Sequence, residues 1–246
     1  MCYRGLYLCT MSSIFQFKQF AVDQTDCPMK INTDGVLLAA TTADIPAAHI
    51  LDIGTGTGVI ALMLAQRFEN AILEAVEIDA LAADRAKQNF LNSPFSERMY
   101  AQHVSFEDLH PVSKYDLIIS NPPFYTDSLH NPDNRKKTAR HADLPFFERL
   151  FDFAGRHLME EGLLRLILPP ELAGQLQDIA TTQELIAEHV IAVQSYKDSP
   201  VFRKMITWRK GGKKDLMTEE LLIIYECKGV YSDRYKELLR PYFLAF

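Results

Sequence analysis

Short apolar segments alternate with amphipathic segments along most of the chain, and this alternation restricts the possible folds more than any other feature of the sequence. The segment His49–Ile53 is typical of a buried strand. Residues 59–68 follow as a helix, with Ile60, Met63 and Leu64 on one face. Because strands separated by helices form a mostly parallel sheet with helices on both faces, the sequence predicts an α/β fold.

The later segments extend this pattern and then depart from it. Further strands are predicted at residues 72–78, 100–104, 115–120, 163–168, 186–194, 205–209 and 221–226, and further helices at residues 81–91, 144–159, from Pro170 onward, and at 233–239 after a Ser232 cap. Since the last strands follow one another without helices, we expect antiparallel pairing at that end of the sheet.

Because the sequence shows no linker or repeat, we predict one domain at residues 13–246. Residues 13–45 form its lead-in, and residues 1–12 are a disordered tail or a start-site artefact.

The composition is ordinary for a soluble globular protein, with 48% hydrophobic and 24% charged residues in 246. No apolar run approaches the roughly 20 residues of a membrane helix, so we expect no membrane partner. The cysteines form no C-x-x-C pair and do not cluster with histidines, which favours free thiols in the cytoplasm and no metal site. A monomer is the default expectation. The cysteines are Cys2, Cys9, Cys27 and Cys227.

A net charge of −6 argues against a protein that coats nucleic acid nonspecifically. Two local segments are nevertheless basic, and each is either a solvated surface or a set of contacts to phosphate groups. Charge alone favours the solvated surface. The cations are Arg135, Lys136, Lys137 and Arg140 in the first segment, and Arg203, Lys204, Arg209, Lys210, Lys213 and Lys214 in the second.

A glycine-rich turn follows the first strand and opens the first helix of the alternating pattern. Glycine permits a tight turn and lets the backbone approach a ligand, so the turn predicts a nucleotide-type cofactor. Its G-x-G-x-G spacing differs from the G-x-G-x-x-G of dinucleotide binders. The residues assigned to the cofactor here are Asp52, Gly54, Thr55, Gly56, Thr57 and Gly58. Asp52 is expected to anchor the turn or, through water, an amino group of the cofactor.

Two acidic residues after later strands are further cofactor candidates. Glu77 ends the second strand, where a carboxylate can accept hydrogen bonds from both hydroxyls of a ribose; the alternative is a surface acid. Its neighbour Asp79 is expected to cap the next helix. Asp108 follows the third strand and either accepts a hydrogen bond from an adenine amino group or is a loop acid beside Glu107.

The segment Asn121, Pro122, Pro123 and Phe124 follows the fourth strand and is the candidate catalytic turn. An adenine amino group is a poor nucleophile because its lone pair is delocalised. Two acceptors that take its N–H bonds would aim the lone pair at a methyl donor. Asn121, which would also border the cofactor, supplies a side-chain carbonyl, and Pro122 a backbone carbonyl in a rigid turn. Phe124 offers a ring for stacking. The alternative is a proline turn that merely ends a strand.

Together these motifs resemble the class I S-adenosylmethionine-dependent methyltransferases, from about Ser13 to the end of the chain. More closely, the chain resembles the bacterial tRNA1(Val) (adenine-37-N6)-methyltransferase family. The resemblance implies a Rossmann-like, seven-stranded, mostly parallel sheet and S-adenosylmethionine as cofactor. The stretches that carry it are residues 15–20, 29–38, 51–58 and 119–124, with Arg140, His141 and residues 242–244.

The resemblance also implies a substrate, the N6 amino group of adenosine 37 in the anticodon loop of a valine tRNA. It implies that Lys30, Thr33, Asp34 and Gly35 border the methionine end of the cofactor; from the residues alone Lys30 and Asp34 are a polar loop. Phe124 stands where tyrosine is commoner in the family. This difference keeps an aromatic ring for stacking but removes the hydroxyl. Residues 125–141 would form a substrate lid. The RNA contacts expected are Arg135, Lys136, Lys137, Arg140, His141, Lys213 and Lys214.

Four other functions are considered from the sequence, and one of them, DNA adenine modification, is disfavoured because the chain has no recognition-domain insertion. Enzymes that methylate a glutamine of release factors share the Asn-Pro-Pro-aromatic turn, but they resemble a catalytic domain behind a helical domain, for which the segment before His49 is too short. Guanine-N2 methyltransferases of ribosomal RNA share the turn, often with histidine where this chain has Tyr125. A non-catalytic cofactor-binding RNA factor would not require Asn121.

Overall fold

The computed structural model describes residues 13–25, 27, 29–122, 132–213 and 217–246, with the backbone alone for residues 132–143. The strands are β1 (Ile14–Gln16), β2 (Ala21–Asp23), β3 (His49–Ile53), β4 (Ile72–Glu77), β5 (Met99–His103), β6 (Tyr115–Ser120), β7 (Leu158–Leu168), β8 (Leu185–Gln194), β9 (Val201–Lys210), β10 (Thr218–Ile223), β11 (Tyr225–Cys227) and β12 (Val230–Tyr231). The helices are α1 (Thr33–Ala40), α2 (Val59–Arg67), α3 (Ala80–Leu91), α4 (Pro132–His157), α5 (Pro170–Ala173), α6 (Leu176–Thr182) and α7 (Asp233–Leu239).

The main sheet has the strand order β10-β8-β9-β7-β6-β3-β4-β5. The strands from β7 to β5 pair in parallel, whereas β9 runs antiparallel to both of its neighbours. The predicted fold class and the antiparallel end are therefore confirmed. The sheet has eight strands in the described chain instead of seven, because β10 adds to β8 in parallel and buries Leu222 against the core.

Helices cover both faces of this sheet, as the alternating sequence predicts. Side chains from α1, α2, α3 and α7 pack with one face, and side chains from α4, α5 and α6 pack with the other. The central strand β6 is buried except for Asp116, so its apolar residues contribute to both cores. Each fully buried aliphatic side chain contributes about 1.5–3 kcal/mol to folding, which makes the centre of the sheet a rigid base for the loops that leave it.

The lead-in has more regular structure than the sequence indicates. Residues 30 and 34, predicted as a polar loop, flank the start of α1, whose N-cap Asn32 accepts a hydrogen bond from the Gly35 amide at 2.9 Å. Asparagine is among the preferred N-cap residues because its side chain satisfies a free amide of the first turn. Strands β1 and β2 pair as a hairpin, and Phe17 forms a bridge with Phe243 near the other end of the chain.

Helix α4 begins earlier than the predicted residue 144. It starts at Pro132 and runs through Pro145. A proline favours the first turn of a helix and lacks the amide needed further in, which is why the sequence suggests a start near Leu144. The predicted lid at residues 125–141 is therefore helical from Pro132 onward, and residues 125–131 lie outside the described chain.

Candidate active site

The candidate site lies where three neighbouring parallel strands end. Ile53 of β3 is paired with Ser120 of β6 and with Val76 of β4. The residues that follow, among them Asn121 and Glu77, therefore leave the sheet at the same edge. Adjacent strands are about 4.8 Å apart, so the glycine turn, the acidic residue and the start of the proline turn are neighbours. Ligands of open α/β sheets bind at this carboxyl edge.

The glycine turn has the backbone that only glycine adopts easily. Gly54, Gly56 and Gly58 have φ angles of +70°, +56° and +85°, in the left-handed region that side chains disfavour. A Cβ atom at Gly58 would lie 2.5 Å from the Phe90 ring, whereas at Gly54 and Gly56 it would meet nothing within 4 Å. Gly58 thus allows close packing of α3, and the other two leave open space in front of the turn.

Glu77 fastens the glycine turn to the end of β4. Its Oε2 accepts a hydrogen bond from the Gly56 amide at 2.9 Å, and its Oε1 accepts from the amides of Ile78 and Asp79. Oε1 already accepts two amides, whereas Oε2 accepts one and keeps a second lone pair, so one ribose hydroxyl can still bind there. Asp79 caps α3 by accepting from the Ala82 amide, which confirms the expectation for that residue.

Asp52 lies beneath the turn, in the interior. It is 1% exposed, and its Oδ2 accepts a hydrogen bond from the Thr55 hydroxyl at 2.6 Å. Loss of solvation raises the pKa of the Asp52 carboxyl to about 7, although the hydrogen bond from Thr55 lowers it. This position favours the first of its two expected roles, which is to anchor the turn. Thr55 and Thr57 are also buried.

The N-terminus of α1 meets the start of the catalytic turn. Asn121 Nδ2 lies 3.5 Å from Asn32 Oδ1, the same oxygen that accepts from the Gly35 amide. A Cβ atom at Gly35 would come 3.6 Å from Asn121 Nδ2. Because the Asn32 oxygen accepts both N–H groups, the Asn121 side-chain oxygen remains for another donor. Asn32 was not predicted as a site residue, although its position before Thr33 is a signal for an N-cap.

Among the other lead-in candidates, Asp34 lies in the first turn of α1. It forms an ion pair with Arg203, with 2.6 Å between Oδ2 and Nε, and so connects the helix to the amino end of β9, which lies at the carboxyl edge of the parallel strands. Lys30 and Thr33 are exposed. Their expected contacts with the methionine end of the cofactor stay predictions.

Two further residues hold the site together and were also missed. The Ser120 hydroxyl donates to the carbonyl oxygen of Ile53 at 2.7 Å, which joins the ends of β6 and β3. Asn89 of α3 is buried and donates to the carbonyl oxygens of Thr57 and Asp23, while its own oxygen accepts from the Asp23 amide. Asn89 therefore connects the glycine turn to the lead-in hairpin. A buried polar residue on a helix was the available signal.

Asp108 is exposed at the end of a short 3-10 turn. The cavity that it helps to line has a volume of about 290 Å³, and its other lining residues do not belong to the glycine turn: Glu74, Gln102, Val104, Leu109, His110, Pro111 and Val112. This location gives no support to the expected contact with adenine.

Most of the second basic segment lies along β9, which runs from the carboxyl edge of the sheet to the opposite edge. Arg203 and Lys204 lie at the carboxyl edge, but the antiparallel strand carries Lys213 to the opposite edge, away from Asn121. Many of these cations also have acidic partners on other elements: Arg203 with Asp34 of α1, Lys204 with Glu219 of β10, Arg209 with Glu188 of β8 and Lys210 with Glu160 of β7. Lys213 lies away from the candidate site, and its expected role in RNA binding stays a prediction.

Several expected site residues cannot be placed. Pro122 is buried directly after Asn121, but Pro123 and Phe124 lie outside the described residues, as does Lys214. The backbone of α4 carries Arg135, Lys136, Lys137, Arg140 and His141, whose side chains are not described. Within the described ranges we found no group of three or more potential metal ligands. In the same ranges, no helix has the length and apolar character needed to cross a membrane.

Comparison with known proteins defines the class. The family model described as the methyltransferase small domain matches residues 27–193. A crystal structure of a protein described as a predicted O-methyltransferase, from Agrobacterium tumefaciens, superposes with a TM-score of 0.68 at 20% identity, covering 85% of this chain and 96% of that one. A methyltransferase from Pyrococcus furiosus gives 0.56 at 20% identity, covering 78% and 90%. The chain belongs to the methyltransferase small domain family and is a methyltransferase.

Curated relatives narrow this class. A protein of Pedobacter heparinus named tRNA1(Val) (adenine(37)-N6)-methyltransferase is 48% identical over 236 residues, which are 96% of this chain and 100% of the relative. A protein of the same name from Bacteroides thetaiotaomicron is 39% identical, covering 94% of this chain and 97% of its own length. The chain belongs to the tRNA1(Val) (adenine(37)-N6)-methyltransferase family, which confirms the resemblance in the sequence.

Proposed function

We propose that this protein transfers a methyl group from S-adenosylmethionine to the N6 amino group of adenosine 37 in a valine tRNA. The observation that carries the proposal is the adjacency of the glycine turn and Asn121 at the ends of the paired strands β3 and β6. The names of the relatives supply the base and the RNA. The geometry supplies a place for a nucleotide-type cofactor beside a group that can hold an amino nitrogen.

The residues of the edge fit S-adenosylmethionine. Gly54 and Gly56 leave open space in front of the turn, and Glu77 Oε2 lies beside the Gly56 amide with one lone pair free. In this proposal the glycine turn holds the cofactor, Glu77 Oε2 accepts from a ribose hydroxyl, and the residues of the α1 N-terminus border its methionine end. The cofactor supplies an electrophilic methyl group.

The protein supplies orientation. The Asn121 side-chain oxygen and the Pro122 carbonyl accept the two N–H bonds of the adenine amino group, so the nitrogen lone pair points toward the cofactor. Asn32 fixes which atom of Asn121 faces the substrate, because its oxygen is already fixed by the first turn of α1. Phe124, outside the described residues, is proposed to stack on the base.

The RNA would be held through its phosphates and through an unstacked base. In this proposal the basic residues of α4, Arg135, Lys136, Lys137 and Arg140, with His141, contact the RNA. They belong to the helix that starts shortly after the catalytic turn. Ribosomal RNA or a release factor remains the alternative substrate, because each would use the same turn.

Substitution of Asn121 by alanine tests the mechanism. We expect Asn121→Ala to reduce methyl transfer to unmodified tRNA by at least about 100-fold, the scale set by losing a positioned transition-state contact. The affinity for S-adenosylmethionine, measured by calorimetry, should stay within a few-fold. Asn70→Ala is the matched control, because Asn70 is an exposed asparagine before β4.

Either of two results would contradict the proposal. Unchanged turnover in Asn121→Ala would remove the orienting role. If the unsubstituted protein labels ribosomal RNA or a release factor and not tRNA, the chemistry is retained and the substrate is wrong. Nucleoside analysis of the labelled RNA identifies the methylated base and atom.

A further inference from the structure

A row of four tyrosines extends from the core to the surface at the end of β8 and β10. The centroid distances are 5.5 Å between Tyr196 and Tyr225, 4.9 Å between Tyr225 and Tyr231, and 4.8 Å between Tyr231 and Tyr235. The planes of successive rings differ by 31°, 23° and 10°, so the row is close to parallel. Tyr235 is 5% exposed and packs in the core, whereas Tyr196 at the outer end is 40% exposed.

This tyrosine row lies at the same edge of the sheet as the catalytic turn. Strand β9 is antiparallel to β7 and to β8, so the ends of β8 and β6 point the same way. Gln194 ends β8 and is paired with Ile223 of β10. Between β8 and β6 there are three strand spacings, or roughly 14 Å across the sheet, and Gln194 lies four residues beyond the level of Ser120, which adds roughly 13 Å along the strands.

The outer ring is presented by a fixed turn. Ser199 Oγ accepts from the Tyr196 amide at 2.9 Å and donates to the Tyr196 carbonyl at 2.8 Å, and Gln194 Nε2 donates to the Ser199 carbonyl at 2.6 Å. Because the turn is held by these bonds and the ring by Tyr225, little conformational entropy would be lost when a ligand stacks on it.

The charges around the tyrosine row balance. Lys197 and Asp198 adjoin the outer ring in sequence, and Glu226 and Lys228 lie in the hairpin of the next two rings; all four are exposed. A surface of this kind does not favour phosphate, which needs an excess of cations. It suits an unpaired nucleobase, because every base has a face that stacks on an aromatic ring.

We propose that Tyr196 is a stacking site for an unpaired nucleobase of the RNA substrate, in the same loop as the methylated base. The inference rests on the proposed function, because it requires an RNA substrate. The catalytic turn takes the target base, and the tyrosine row takes a second unpaired base farther along the edge. The site therefore favours RNA whose loop offers two unstacked bases.

Replacement of the ring tests the stacking site. In Tyr196→Ala we expect about a tenfold loss of affinity for unmodified tRNA, the scale of one base–aromatic stack. Turnover at saturating tRNA and affinity for S-adenosylmethionine should not change. Tyr196→Phe keeps the ring and should retain the affinity. Tyr100→Ala is the matched control, since Tyr100 is 52% exposed on β5, the outer strand at the far side of the sheet.

A second readout detects stacking directly. An anticodon stem–loop carrying 2-aminopurine at successive loop positions should lose fluorescence on binding at one position, and Tyr196→Ala should restore it there. Equal tRNA affinity of Tyr196→Ala and the unsubstituted protein would overturn the inference while leaving the methylation of tRNA intact. Loss of affinity in both Tyr196→Ala and Tyr196→Phe would also overturn it, because the hydroxyl would then be the contact. Failure of the unsubstituted protein to bind tRNA would overturn the proposed function as well.

Discussion

Asn121 carries two different polar atoms, and in the proposed mechanism its neighbour Asn32 decides which of them faces the adenine amino group. The Asn32 oxygen accepts from a backbone amide of α1, so the side that meets it must be the Asn121 amino group. An amide with no such partner could rotate by half a turn and present a donor to the adenine amino group. One hydrogen bond outside the candidate catalytic turn thus fixes the orientation on which the proposed mechanism depends.

Variants of Asn32 separate its two roles. Asn32→Ser keeps an N-cap but is too short to reach Asn121, so we expect the protein to fold normally while kcat falls about three- to tenfold, the value of one neutral hydrogen bond. Asn32→Asp keeps both acceptor functions and should restore kcat. The measurement is single-turnover methylation at saturating cofactor and RNA. A serine variant with wild-type kcat, or an aspartate variant as slow as serine, would refute this role.

Asp52 makes the stability of the protein depend on pH. Burial raises its pKa to about 7, from 3.8 in the unfolded chain. Between these values the folded protein holds a proton that the unfolded chain releases, so the stabilising contribution is complete below about pH 4 and is lost as pH rises to 7. Asp52→Asn does not titrate. We therefore expect the unfolding free energy of the unsubstituted protein to fall relative to Asp52→Asn between pH 4 and 7, by at most about 4 kcal/mol.

Urea unfolding of the two proteins at several pH values between 4 and 8 measures this difference. Above pH 7 the two curves should become parallel, because the carboxyl is then ionised in both the folded and the unfolded state. Parallel curves across the whole range would mean that the pKa of Asp52 is the same in both states.

Among the elements, α3 has a role that extends beyond covering the sheet. Its Asn89 fastens the glycine turn to β2 of the lead-in hairpin through three hydrogen bonds. Asn89→Ala would leave buried backbone groups without partners, each at a cost of about 1–3 kcal/mol. We expect a loss of about 2–4 kcal/mol in unfolding free energy and severalfold weaker cofactor binding, measured by urea unfolding and calorimetry.

Asn92→Ala, at the exposed end of the same helix, is the control for that experiment. If Asn89→Ala lowers stability and leaves cofactor affinity unchanged, the residue supports the fold alone and does not position the glycine turn.

Strands and helices that are long enough to show a repeating pattern of apolar residues could be predicted from the sequence. Short or interrupted ones could not. The bounds of β3 and α7 match the expectation, and Ser232 caps α7 as expected. Strands β1 and β2 have three residues each, too few to show a period. Helix α1 joins the core along most of its length, which hides the amphipathic pattern that marks a surface helix.

At the scale of the whole molecule, the sequence predicted where the candidate site lies but not the residues that support it. The glycine turn and the start of the proline turn meet at one edge because parallel strands end together, a rule that needs no coordinates. Asn32, Ser120 and Asn89 escaped prediction because their roles come from contacts across elements. Lys213 was grouped with Arg203 by sequence, but Arg203 lies near the start of β9 at one edge of the sheet and Lys213 follows the end of β9 at the other.

The pairing of the lead-in with the far end of the chain affects the order in which the protein can be completed. The Lys18 amide donates to the Tyr242 carbonyl, and its ammonium group donates to the carbonyls of Arg240 and Phe246. These contacts join residues more than two hundred positions apart, and such contacts form slowly. On the ribosome, the hairpin can dock on α3 as soon as Asn89 has emerged. The contacts of Lys18 must wait for residues 240–246, so this side of the lead-in is synthesised early and secured late.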